Sequence, residues 1–211
     1  MIAKGIFISL EGIDGSGKST LIEYIQKSLT PKYKVISVRE PGGTYISEKI
    51  RKLLLDIKNE GIAPETEAIL YAAARAQLVE EIIKPALYDH NIVVADRFMD
   101  STIAYQGFGR GLDLMFLQEL NYLCTGGLKP DLTLLLEITP LMAQKRKKKD
   151  KPDRLEKEGI DFQEKVRQGY LHLARENGER IKVISAGETR EKVIKQAMQH
   201  INSLITERWG N

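Results

Sequence analysis

The segment Gly12-Ile13-Asp14-Gly15-Ser16-Gly17-Lys18-Ser19 constrains this chain more than any other. It satisfies G-x-x-x-x-G-K-[ST] at every fixed position, follows the apolar run Gly5 to Leu10, and leads into a stretch with Leu21, Ile22, Ile25 and Leu29 on one helical face. A strand, a glycine-rich turn and a helix in that order aim successive backbone N–H groups and the positive end of a helix dipole at one point, which is an anion site built for phosphate. Gly12, Ile13, Asp14, Gly15, Ser16, Gly17, Lys18, Ser19 and Thr20 are therefore the candidate nucleotide-binding residues. Lys18 reaches the β- and γ-phosphates in such a loop, and the Ser19 hydroxyl suits Mg²⁺, a hard cation that takes oxygen ligands. Three glycines in a turn that merely joined two elements would cost conformational entropy with no packing return.

Four further runs read as strands: Val35 to Val38, Ile92 to Ala95, Leu132 to Ile138 and Ile181 to Ile184. Several are apolar at nearly every position, as strands of a parallel sheet covered on both faces are. Helix-period stretches lie between them, including Ile46-Ile50-Leu53-Leu54, a long candidate over Glu65 to Leu87 with Pro85 near its end, Leu114-Leu117-Leu120-Leu123, and Glu188 to Glu207. Alternation of this kind predicts an α/β fold with a doubly wound parallel five-stranded sheet, ligands sitting at the carboxyl ends of the strands. At 211 residues the expectation is one domain over 1–211, with a basic lid segment at about 142–158.

Charge narrows the partner. Lys145 to Arg154 holds seven Lys/Arg and two Asp, a local +5 within a net charge of +3, so the remainder is about −2. Positive charge confined to one short segment suits a small anion better than a nucleic-acid groove, and it marks that segment as an exposed, mobile element. Cys124 is the single cysteine, and no stretch approaches the roughly 20 apolar residues of a membrane helix, so the expected setting is cytoplasmic, with no membrane and no nucleic acid among the partners. An Asn-Lys-x-Asp segment for reading guanine is absent, which weakens a GTPase reading.

Two more charged segments leave strands on what would be the same sheet edge: Arg39-Glu40-Pro41-Gly42-Gly43-Thr44 and Asp96-Arg97-Phe98. Taken with Arg51, with Tyr71-Ala72-Ala73-Ala74-Arg75-Ala76-Gln77, with Asp96 through Gln106 in Asp-Arg-Phe-Met-Asp-Ser-Thr-Ile-Ala-Tyr-Gln, and with Asp153-Arg154, the chain resembles the thymidylate kinases over nearly its whole length. The resemblance implies a P-loop nucleoside monophosphate kinase-like fold and ATP-dependent phosphorylation of dTMP to dTDP, with Mg²⁺, in deoxynucleotide synthesis. It also implies a homodimer formed by helix packing, for which the apolar helix Leu112 to Leu123 is the candidate surface.

By the same resemblance, Arg51 and Arg97 would hold the acceptor phosphate, and Asp14 and Glu40 would position the arginines, the sugar or the metal. Arg75 would hydrogen-bond the thymine edge, Tyr71 would stack on the base, Thr102 and Gln106 would approach its polar edge, and Tyr105 would lie under the deoxyribose. Asp96 and Ser19 are the candidate metal residues. Some family members carry a catalytic arginine inside the phosphate loop; Asp14-Gly15-Ser16 has none, so the resemblance is to the type whose arginine comes from the lid, with Arg154 first and Arg146 second, the latter also placed to lie over adenine. The chain departs from common family residues at Tyr71, where Phe is frequent, and at Leu78, where His is. Read alone, Arg39, Arg51 and Arg75 are also compatible with ordinary surface arginines and Tyr71 with a core position.

The chemistry explains the residue types. In-line transfer between two phosphates, without a covalent intermediate, asks the protein to align donor and acceptor and to neutralise charge, and an acceptor phosphate already ionised at neutral pH needs no general base. Lys18, Arg51, Arg97 and Mg²⁺ supply four positive groups, and Lys18, Arg97, Arg154 and Asp14 are the candidate catalytic residues.

Overall fold

A computed structural model of the chain describes residues 5–146 and 154–210. Five strands, β1 (Ile6–Glu11), β2 (Val35–Arg39), β3 (Ile92–Asp96), β4 (Leu132–Glu137) and β5 (Ile181–Ser185), form one parallel sheet in the order β2-β3-β1-β4-β5. Each falls within a residue of its sequence-based range. The central strand β1 is buried along its whole length, and its residues alternate between two cores: Ile6, Ile8 and Leu10 face one, and Phe7 faces the other. A mainly apolar run at this position follows directly from helices covering both faces.

The helices are α1 (Lys18–Leu29), α2 (Tyr45–Leu55), α3 (Pro64–Leu78), α4 (Lys84–Tyr88), α5 (Met99–Thr102), α6 (Leu114–Thr125), α7 (Pro140–Arg146), α8 (Gly159–Glu176) and α9 (Arg190–Trp209). Local chemistry starts several of them. Thr44 accepts from Ser47 N at the head of α2, Asp113 from Phe116 N at the head of α6, Thr189 from Lys192 N at the head of α9, and Pro64 opens α3. In contrast, α1 begins after Gly17 with no side-chain cap, which leaves its first N–H groups to whatever the loop binds.

Two differences from the sequence reading have a physical cause. The expected single helix over Glu65 to Leu87 is interrupted by a π-helical turn at Val79–Ile83, where Lys84 N donates to Val79 O, just before Pro85, which has no N–H to offer. Likewise α5 widens into a π-helical turn at Ile103–Gly109, a stretch assigned to no element from the sequence. Helix α8 was not anticipated, although Phe162, Val166, Tyr170 and Leu173 lie on its buried face at helical spacing.

The sheet register places the site. Arg39 pairs with Asp96 and Asp96 with Leu10, so β2, β3 and β1 end level, and Glu40, Arg97 and the loop after Glu11 emerge side by side.

Candidate active site

A cleft of about 500 Å³ opens at this edge. Its floor is the loop that begins at Gly12. Gly12 and Gly15 sit at φ +135° and +86°, and a Cβ on either would come within 2.5 Å of a carbonyl oxygen, that of Leu136 or that of Ala143. Only glycine allows this close backbone approach. Lys18 is buried, and its Nζ donates to the carbonyls of Gly12 (3.0 Å) and Ile13 (3.3 Å). Burial, followed by the like charge of Arg97, brings the Lys18 ammonium down to about 8. Ser16 Oγ is buried in the same loop and has no partner among the described residues. Asp14, Gly15, Gly17, Lys18, Ser19 and Thr20 line the cleft, whereas Gly12, Ile13 and Ser16 lie beneath it.

Facing Lys18 is Arg97, the residue after β3. Its backbone sits at φ +71°, a left-handed conformation that costs a non-glycine residue about 1 to 2 kcal/mol, and its N–H bonds to Leu10 O at 3.0 Å. The side chain is correspondingly well held. Nη2 donates to Asp14 Oδ1 (2.6 Å) and to the Tyr105 hydroxyl (3.0 Å), and Nη1 to the hydroxyls of Tyr170 (3.0 Å) and Ser101 (3.3 Å). Behind them lies Glu11, fully buried, which accepts from Phe98 N, Ser101 Oγ and Tyr170 Oη at 2.7 to 2.9 Å. Burial, with the nearby Asp100 carboxylate adding to it, raises the Glu11 carboxyl above its ordinary range. Asp100 is in turn gripped by both nitrogens of the Arg180 fork, at 2.7 and 2.8 Å.

Arg51 lines the cleft from α2, its Nη1 donating to Pro41 O at 2.8 Å. Glu40, Tyr71, Arg75, Asp96, Thr102, Tyr105, Gln106, Arg146 and Leu155 also line it. Tyr71 lines the cleft and also packs against the main core. The expected metal residues Ser19 and Asp96 thus share one cleft, and among the described residues no group of three His, Cys, Asp or Glu could hold an ion by itself. A hydroxyl and a carboxylate beside a phosphate loop fit a hard cation that arrives on a nucleotide.

Two arginines sit differently from their expected roles. Arg75 is 1% exposed, and all its N–H groups face protein: Nε and Nη2 fork onto Glu40 Oε2 at 2.7 Å, Nη1 donates to Thr102 and Asn121, and Nη2 also to Phe98 O. It therefore holds Glu40 and Thr102 in place, where the resemblance gave it a direct contact with the base. Glu40 is left with a buried Oε1 that has no partner among the described residues, and burial raises its carboxyl despite Arg75.

Arg154, expected over the donor phosphates, is buried in this structure, with Nη2 2.5 Å from Glu67 Oε2 and Nε donating to Leu54 O at 2.8 Å. Among the described basic residues of that segment, Arg146 lines the cleft. Residues 147–153, which include the expected lid lysines and Asp153, lie outside the described residues.

The sequence reading missed Glu67, Arg110 and Tyr170. Tyr170 went with the missed helix α8. Glu67 stands four residues before Tyr71 and eight before Arg75, on the same face of α3, and that spacing was the available signal.

Comparison with known proteins agrees with this geometry. A family model described as thymidylate kinase matches residues 10–197. A thymidylate kinase of Desulforudis audaxviator is 53% identical over 172 residues, covering 81% of this chain and 78% of that protein. One from Thermoanaerobacter sp. (strain X514) is 45% identical over 203 residues, covering 96% of this chain and all of that one. Among solved structures, the crystal structure of thymidylate kinase from Ehrlichia chaffeensis superimposes with a TM-score of 0.77 at 33% identity, covering 93% of this chain and 98% of that one.

Proposed function

The chain belongs to the thymidylate kinase family, and from that membership and the cleft we infer that it transfers a phosphoryl group from ATP to dTMP, giving dTDP. The observation that carries this reading is the juxtaposition of Lys18 and Arg97 in one cleft that Tyr71, Thr102, Tyr105 and Gln106 also line. That is one anion site for a donor, a second for an acceptor phosphate, and an aromatic and amide pocket for a base.

We propose in-line transfer in which the phosphate loop and Lys18 hold the donor, Arg51 and Arg97 hold the acceptor phosphate, and Asp14 keeps Arg97 aligned. A unit charge pair at about 4 Å is worth roughly 4 kcal/mol at an effective dielectric near 20, so several cations are needed to bring two polyanions together. Mg²⁺, with Ser19 and Asp96 as its nearest protein groups, would add positive charge at the donor phosphates. The remaining cation is assigned to the basic segment over 142–158, by release of Arg154 from Glu67 or by Arg146 from its position in the cleft. Its closure would exclude water. Glu40 Oε1 is open to a hydroxyl or N–H donor of the acceptor.

The proposed assembly is a homodimer through α6, where Met115, Tyr122 and Leu123 are two-thirds or more exposed. Sedimentation at micromolar concentration tests it: a monomer would remove it. We place the enzyme in the cytoplasm, in keeping with a lone cysteine and a small-molecule reaction, with no nucleic-acid or membrane partner; among the described residues no helix is long and apolar enough to cross a membrane. For the activity, a coupled assay with ATP and dTMP, dUMP, dCMP, dGMP or ribo-TMP is decisive. Strong preference for dTMP is expected, and equal turnover of all five acceptors would sink the thymine assignment.

A further inference from the structure

Glu67 is a carboxylate with its side chain 1% exposed, and three donors from distant parts of the chain converge on it. Its Oε1 accepts from Gln106 Nε2 at 2.9 Å and Arg110 Nε at 3.3 Å, its Oε2 accepts from Arg110 Nη2 at 3.2 Å, and Arg154 Nη2 lies 2.5 Å from Oε2 as an ion pair. Burial raises the carboxyl, but these hydrogen bonds outweigh it and hold Glu67 below its ordinary range. It is therefore an anion, and an anionic carboxylate can only accept.

That polarity fixes Gln106. An amide beside an acceptor-only group must turn its NH₂ toward it, because the opposite flip would set two oxygen lone pairs against each other. With one N–H of Nε2 given to Glu67, the carbonyl oxygen takes the other branch of the Gln106 amide, beside the second N–H, and no donor among the described residues meets that oxygen. Gln106 lines the cleft.

We propose that Glu67 is a positioning residue that makes Gln106 a hydrogen-bond acceptor in the cleft, and thereby selects bases that carry a ring N–H over bases that carry a ring lone pair. The inference rests on the acceptor's base lying at the Gln106 end. Thymine and uracil offer N3–H, whereas cytosine offers a lone pair at N3, which would need the opposite flip. A site built to hydrogen-bond one pattern leaves its own buried polar group unpaired with the other, a strong source of discrimination.

The test is the ratio of kcat/KM for dTMP to that for dCMP, measured with ATP and Mg²⁺ in the wild type, in Glu67→Gln and in Glu67→Asp. A glutamine at 67 can face Gln106 as donor or acceptor, so it frees the flip. The ratio should narrow at least tenfold, through KM for both nucleotides. Asp keeps an acceptor-only group and should hold the ratio within about threefold of wild type.

An unchanged ratio in Glu67→Gln overturns the inference, and so does an equal loss of kcat for both acceptors, which would mean that Glu67 acts only through Arg154. If the wild type itself turns over dTMP and dCMP equally, the functional reading fails together with the inference, so the two failures are distinguishable. Should Glu67→Gln not fold, proton NMR of the wild-type complex decides: bound dTMP should show an N3 imide proton protected from solvent exchange, and rapid exchange overturns the inference.

Discussion

Nη2 of Arg97 lies 2.6 Å from Oδ1 of Asp14, which ties the residue after β3 to the phosphate loop and holds the guanidinium facing Lys18 across the cleft. Two tyrosine hydroxyls and one serine hydroxyl take further N–H groups of the same fork. A lysine has the charge but not the planar fork, so it cannot satisfy these partners from one position. Arg97→Lys is expected to lower kcat for dTMP at least 100-fold, about 2.7 kcal/mol of barrier, while the protein stays folded by circular dichroism. A loss under fivefold would show that the fork is dispensable.

Lys18 should make donor binding pH-dependent on the alkaline side. Its ammonium, brought down to about 8 by burial, loses charge as pH rises through that value, and nucleotide phosphates favour the charged form. Affinity for ATP should therefore be level just below pH 8 and fall by up to tenfold per unit above it, with proton uptake on binding that calorimetry in two buffers would detect. The unliganded fold runs the other way. Between about 8 and the ordinary 10.5 the unfolded chain binds more protons, so this group's contribution to stability rises with pH. ATP affinity that stayed level to pH 10 would contradict the assignment. Lys18→Ala should all but abolish turnover.

For Arg154 two measurements are needed together. Its truncation leaves Glu67 with Arg110 as its remaining charged partner, so Arg154→Ala should cost about 1 to 3 kcal/mol in urea unfolding. If the basic segment delivers this arginine during turnover, kcat should also drop at least 100-fold while the dissociation constant for dTMP changes little. Lys148→Ala should leave kcat unchanged. A near-wild-type kcat for Arg154→Ala would make the residue an anchor and pass the catalytic role to Arg146.

Arg75 is expected to show up in stability before specificity. Replacing it with Met leaves Glu40 buried without its cation, a change of the kind that costs about 3 to 5 kcal/mol. Denaturant unfolding should show that loss, and dTMP binding should weaken as Glu40 and Thr102 lose their common support. A stability change below about 1 kcal/mol would mean that the Glu40 carboxyl had simply taken up a proton.

The legible and illegible parts of this protein divide by how far information must travel along the chain. The phosphate loop is local: glycine positions, a lysine and flanking periodicities all lie within Gly5 to Leu29, and the expected strand, loop and helix are where those residues put them. The strands were equally local: β1, β3 and β4, buried almost throughout, are nearly continuous apolar runs, and the partly exposed β2 and β5 still show as short β-branched ones. The turn at Ile103–Gly109 was not legible, since its widened hydrogen bonding has no 3.6-residue signature and Gly107 and Gly109 suggest a loop. Glu67 was least legible of all. In sequence it is an acid in the first turn of α3, a common place for one, and its partners stand 39, 43 and 87 positions away at Gln106, Arg110 and Arg154. The role expected of Arg75 came from resemblance, and nothing in its neighbours along the chain could indicate that Glu40, Thr102, Asn121 and Phe98 already occupied its N–H groups.

The bare α-carbon at Gly15 leaves the donor-gripping loop resting against the main chain of α7 at Ala143, with no side chain between them as a cushion. Helix α7 carries Lys145 and Arg146, the first two residues of the basic stretch. Rigid main chain in direct contact transmits small displacements that pliant side chains would absorb. The spacing between the loop and α7 is therefore set by backbone alone, and even a methyl group at position 15 would pry the two apart.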